Sequence, residues 1–137
     1  MGCDIHVFRE VQRNNNQWAC LEEMQDEDYI PGIYIPRNYM LFGLLAEVRE
    51  EVPLAFPYRG IPDDVSPEVK QESDYMGCDC HTPSWLELEE MKRKQTELLL
   101  SSEPHAQECL EYLQEFMASL TWPDNAKNCR VVFWFDN

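Results

Sequence analysis

Residues 129–137, "CRVVFWFDN", hold the most β-prone run in the chain. Branched and aromatic side chains pack well on a pleated surface, and here they stand side by side without polar interruption. Such weak alternation predicts a strand buried on both faces. A partner for it lies at the opposite end of the sequence. In "DIHVFREVQ", Asp4 to Gln12, Ile5, Val7 and Val11 share one face, interrupted by Arg9, while His6 and Phe8 point the other way. "RNNNQ" is turn chemistry, and "WACLEEM", residues 18–24, reads as a second strand, which makes a β-hairpin with a longer loop.

The middle of the chain reads as helical. Residues 25–37 are acidic, then rich in Pro, Gly and Tyr, and are expected to form a surface loop. Asn38 is placed to cap a helix over residues 39–51, with Leu41, Leu44, Leu45 and Val48 at helical spacing and Pro53 beyond its end. Ser66 followed by Pro67 starts a short helix reaching Asp74. Ser84 and Glu87 have capping-box spacing, so a helix is expected over residues 84–100. A last helix, residues 104–120, carries the apolar stripe Ala106, Cys109, Leu110, Leu113, Phe116, Met117 and Leu120. The expected fold class is therefore α+β, one domain over residues 1–137. Its small, mostly antiparallel sheet, the N-terminal hairpin plus the C-terminal strand, packs with three to four helices.

Composition narrows the function. Of 137 residues 44% are hydrophobic, enough to bury a core. The formal net charge is −15, with 26 acidic residues against 11 basic ones. Direct nucleic-acid binding by phosphate neutralisation needs clustered cations and is not expected, nor is adsorption to an anionic membrane. No stretch suits a bilayer span or a secretory signal. The six cysteines are then expected as free thiols in a reducing cytoplasm.

One hexapeptide is written twice. "MGCDIH", residues 1–6, returns as "MGCDCH", residues 76–81, and each copy holds Asp-x-His. A carboxylate and an imidazole two residues apart share one face of a strand and suit a divalent metal, zinc among them. Asp4, His6, Asp79 and His81 are thus candidate ligands of one ion, the copies forming two arms of one site. The plainer alternative keeps them as polar surface residues. Asp136 approaches Asp4 or His6 if the two terminal strands are neighbours; the plainer reading leaves it in a solvated C-terminus. Arg37 and Asn38, at a helix start, and Arg59, in a proline-rich loop, are candidates to hold an anion such as phosphate; the plainer alternative for each arginine is a surface salt bridge with one of the many acids. Cys3 and Cys78 each precede a histidine by three residues, a weaker hint of nucleophilic chemistry.

The chain also resembles a family of small proteins encoded by tailed phages and prophages. The resemblance runs through "MGCDIH", "RNYMLFGLLAEVR" (37–49), "RGIPDDVSPEV" (59–69), "DCHTPSWLELEEM" (79–91) and "VVFWFDN" (131–137), in that order. Asp79, His81, Ser84 and Trp85 fit the family pattern of Asp-x-His followed by Ser and an aromatic residue. Cys78 and Cys80 depart from it, because other members tend to carry Ser or Gly there, and this favours Asp and His over thiolates as ligands. The resemblance implies a phage origin and the infected bacterial cytoplasm as the setting, and carries no mechanism.

Two functions from different classes follow. In the first, the two motifs bind a divalent metal, and the protein binds or hydrolyses a nucleotide or other phosphate-containing ligand, with Arg37, Asn38, Arg59, Ser84, Trp85 and Asp136 around it. Enzyme status is left open. In the second, an acidic inhibitor of a host defence system, of the anti-CRISPR kind, covers a basic nucleic-acid-binding surface on a host protein.

Overall fold

The computed structural model describes residues 2–25 and 29–137, and of Cys78 the backbone alone. Part of the acidic stretch expected to be a loop, residues 26–28, thus lies outside the described residues. The elements are β1 (Asp4–Gln12), β2 (Trp18–Cys20), α1 (Tyr39–Ala46), α2 (Pro67–Met76), a 3-10 turn (Gly77–Asp79), β3 (Cys80–Glu87), α3 (Leu88–Leu100), α4 (Ala106–Ala118) and β4 (Cys129–Asp136). The strands form one antiparallel sheet in the order β2-β1-β4-β3. The fold is α+β, with four helices on a four-stranded sheet.

β4 is central and buried on both faces, as its unbroken apolar run requires. Val131, Phe133 and Phe135 face α1, α3 and α4, joined there by Ile5, Val7 and Leu86. Val132 and Trp134 face the other way, under Ile30 and Val69 of α2, with Phe8 beside them. Each large side chain buried this fully contributes about 1.5–3 kcal/mol through its removal from water.

β2 is shorter than the sequence reading had it, ending at Cys20 rather than at 24, and two further boundaries differ, each for a local reason. The first helix stops at Ala46 rather than at 51, because Glu47 turns left-handed with φ 56° and the chain folds back on the helix. Gly43 permits the return: a Cβ there would lie 2.7 Å from the Glu50 carbonyl oxygen. The second difference is larger. Residues 80–87 form β3, and the helix begins only at Leu88. Pro83 lacks the N–H that a helix would use and keeps Thr82 out of the right-handed helical region. Ser84 and Leu86 then alternate with Trp85 at strand spacing, both wholly buried. The capping box belongs to Glu87 and Glu90, not to Ser84 and Glu87.

Across β1 and β4 the opposed pair Glu10 and Arg130 is buried, with Arg130 Nε 2.7 Å from Glu10 Oε1. Glu10 also accepts from the Ser66 backbone N–H at 2.8 Å, and Arg130 donates to Asp64 at 2.8 Å. Every buried charge in this group has partners, as burial demands. The network ties the 59–66 loop to the sheet. Among the described residues no helix is long and apolar enough to cross a membrane.

Candidate functional site at the end of the sheet

The two hexapeptides do meet, on either side of one strand end. Asp4 of β1 and Cys80 of β3 both lie opposite Asp136 of β4. Their histidines part company. His6 pairs in register with Trp134 and stacks on it at 6.4 Å, whereas His81 pairs with Phe135 and stacks on that ring at 6.1 Å. Neighbours on a strand point to opposite faces, so the sheet stands between the imidazoles. The four ligands expected of one ion are divided: Asp4 and His6 share a face, His81 takes the other, and Asp79 sits exposed in the 3-10 turn. Among the described residues no three His, Cys, Asp or Glu side chains gather closely enough to hold a metal.

On the His6 face, two carboxylates stand directly opposed, Asp4 and Asp136. Like charges so placed repel, and each has found a cation or an N–H. Arg37 grips Asp4 through both prongs, Nε to Oδ1 at 2.7 Å and Nη2 to Oδ2 at 3.2 Å. His6 Nε2 is hydrogen-bonded to Asp136 Oδ2. The Arg37 hydrogen bonds, with the charges of Arg37 and His6, hold the Asp4 carboxyl below its ordinary range. Gly2 makes the grip possible, because a Cβ there would fall 1.9 Å from Arg37 Nη1. The result is an arginine and a histidine held by the two members of one opposed aspartate pair, each open to solvent in part.

On the other face, His81 Nε2 is 3.2 Å from Asn137 Oδ1 and Nδ1 is 3.0 Å from Thr82 Oγ1. Arg49 reaches the same Asn137 oxygen at 3.5 Å and lies over the Tyr39 ring. Two of the three histidines thus collect with Arg37 and Arg49 around one strand end of a strongly acidic chain.

The remaining sequence candidates have other occupations. Asn38 caps α1, accepting from the Leu41 N–H at 3.0 Å. Arg59 forms a two-pronged ion pair with Glu90 and lies 4.6 Å over the Trp85 ring, and its backbone N–H donates to the buried Ser84 hydroxyl at 3.2 Å. Arg59, Ser84 and Trp85 therefore belong to the far end of the sheet, with Arg130. Arg130 and Glu10 were not singled out by sequence, although a lone arginine heading an apolar strand was a visible signal.

Thiolate chemistry is disfavoured where it can be read. Burial pushes the Cys3 thiol up, against the pull of Arg49. Burial, helped by Asp136 and Asp79, pushes Cys80 up to about 11, and burial pushes Cys20 up to about 12. These stay thiols at neutral pH and are poor nucleophiles. Compared with known proteins, the chain matches no family model, no curated protein and no solved structure.

Proposed function

We propose that the end of the sheet binds a phosphate-bearing ligand, a nucleotide being the natural class, and that His6 is the proton-transfer group of any hydrolysis there. The supporting observation is the double pair at one strand end: Arg37 held by Asp4 and His6 held by Asp136, the two aspartates directly opposed. A planar guanidinium suits phosphate oxygens, and an imidazole fixed by a carboxylate is the usual arrangement of a general base. A divalent ion, zinc included, would take Asp136 and His6 as ligands only in place of their mutual hydrogen bond, so that metal binding and proton transfer by His6 are alternatives. The sequence blocks that resemble a phage family support infected bacterial cytoplasm as the setting.

Calorimetric titration with ATP, ADP and inorganic phosphate, each with and without Mg²⁺, Mn²⁺ or Zn²⁺, tests the reading. Arg37→Gln and His6→Ala should each weaken binding about tenfold, worth about 1.4 kcal/mol, and His81→Ala much less. Wild-type protein that takes none of these ligands would sink it. Elemental analysis of His6→Ala beside His81→Ala asks which histidine, if either, a metal needs.

A second reading is favoured by charge. With 15 more acidic than basic side chains, the surface field draws basic partners, a host defence protein that handles nucleic acid among them.

A further inference from the structure

The face of the sheet that carries His6 has a second feature at its other end. From Asp136 back to Arg130 the distance along β4 is about 20 Å, and α2 with its flanking loop covers the stretch between. Beyond that cover lies a cleft of about 850 Å³. Its walls alternate indole and guanidinium. Arg130 lies 3.9 Å from the Trp18 ring centre and 5.5 Å from that of Trp85, and Arg59 lies 4.6 Å over Trp85. Residues from β2, β3, β4 and the 59–66 loop build this ladder together. No sequence motif announced it.

The charges of the cleft decide what it can take. Both arginines are committed: Arg130 to Glu10 and Asp64, Arg59 to Glu90. Among the described residues no buried side-chain polar atom lacks a partner, so the walls hold no spare buried donor for an anion. Carboxylates are in excess. Asp63 and Glu87 stand exposed at the rim, and Asp64 lies between Arg130 and the Trp18 indole N–H, which donates to it at 3.1 Å. Asp63 makes no hydrogen bond or ion pair among the described residues. A cation entering here meets the carboxylates of Asp63, Asp64 and Glu87, which outnumber the two arginines already seated on the indole faces, so it is the net charge of the lining that favours guanidinium and ammonium groups. The volume is that of a site for a drug-sized ligand, more than one side chain fills, and the net charge of −15 steers an extended cation toward it.

We propose that this cleft is a docking site for an arginine-rich segment of a basic protein partner, whose side chains pair with Asp63 and Glu87 and lie along the Trp18–Trp85 wall. The proposal rests on the reading of the protein as a binder of basic partners, and it assigns that binding to one place.

A hexa-arginine peptide, followed by calorimetry and by tryptophan fluorescence at low and at high salt, is the probe. Three proteins are compared: wild type, Asp63→Asn/Glu87→Gln, and the charge-matched control Glu111→Gln/Glu115→Gln, whose exposed positions on α4 lie on the opposite side of the sheet. The cleft variant should weaken binding about tenfold and the control about twofold or less, with binding falling as salt rises. Trp85→Leu should weaken it too. Asp63 is exposed and makes no ion pair among the described residues, and Gln keeps an acceptor oxygen for the Glu87 cap of α3, so the Asp63/Glu87 variant, with its fold checked by urea unfolding, reads the cleft even if Trp85→Leu fails to fold. Equal losses in cleft variant and control would overturn the cleft while leaving the affinity for basic partners intact. A wild-type protein that ignores the peptide would end both.

Discussion

The two hexapeptides share five letters of six and almost nothing else. In the first copy, the strand begins at Asp4, the fourth letter; in the second it begins at Cys80, the fifth. That shift of one residue in strand phase turns the histidine to the other face. It changes every other role as well. Gly2 makes room for the Arg37 guanidinium, while Gly77 takes φ 54° to close α2. Asp4 holds Arg37, while Asp79 is exposed without a hydrogen bond or ion pair among the described residues. Identical letters therefore carry chemistry only through the phase in which the backbone presents them.

The sharpest test of that difference is in the strand between the copies. His6 rests on Trp134 and His81 on Phe135, consecutive residues with opposite faces. Both rings are essentially fully buried. Trp134→Ala and Phe135→Ala should each cost about 3–5 kcal/mol in urea unfolding. The milder Trp134→Phe and Phe135→Leu keep the fold and should each move the NMR signals of one imidazole only, His6 in the first variant and His81 in the second. One substitution shifting both imidazoles would mean that the sheet does not separate the two arms.

Much of this arrangement could be read in advance. The hairpin and the terminal strand buried on both faces follow from residues adjacent in sequence, whereas the closeness of Asp136 to His6 hung on the two terminal strands pairing, which the sequence left open against a solvated C-terminus. β3 escaped because Ser84 and Glu87 imitate a capping box, and local spacing cannot show that Ser84 and Leu86 are wanted by a buried sheet face. The face of His81 escaped with it. The ladder of Trp18, Arg130, Trp85 and Arg59 was out of reach for another reason: its members come from four separate segments, and only strand order and register bring them together.

A smaller effect distinguishes the residues that follow the two histidines. Val7 is fully buried in regular strand, whereas Thr82 sits in the bulge between His81 and Ser84 with φ 52°. A β-branched side chain is strained in the left-handed region. Asparagine tolerates that region and keeps a polar group near His81 Nδ1. Thr82→Asn should therefore stabilise the protein by about 0.5 kcal/mol, as read by urea unfolding. A loss instead of a gain would show that the Thr82 hydroxyl on His81 outweighs the backbone strain.

The smallest effect separates the two aspartates, and its sign is fixed by competing neighbours. Asp4 faces Asp136, which repels it, and Arg37, which attracts it. Its carboxyl is held below the ordinary value of 3.8 by the Arg37 hydrogen bonds and the charges of Arg37 and His6, against the desolvation that opposes them. A carboxyl depressed in the folded state stabilises that state above its unfolded pKa, and the contribution is lost as pH falls through the folded one. Asp4→Asn should then be slightly less stable than wild type at neutral pH, by the modest amount that exposed ion pairs contribute. The gap should close as the medium is acidified to about pH 3 and below. Asp79 is exposed and makes no hydrogen bond or ion pair among the described residues, so Asp79→Asn removes no such contact and serves as the control. Urea unfolding of the three proteins across that range measures the difference directly. An Asp4→Asn protein as stable as wild type at neutral pH would mean that Arg37 does no more than cancel the repulsion from Asp136, leaving its guanidinium free to turn to a ligand at little cost.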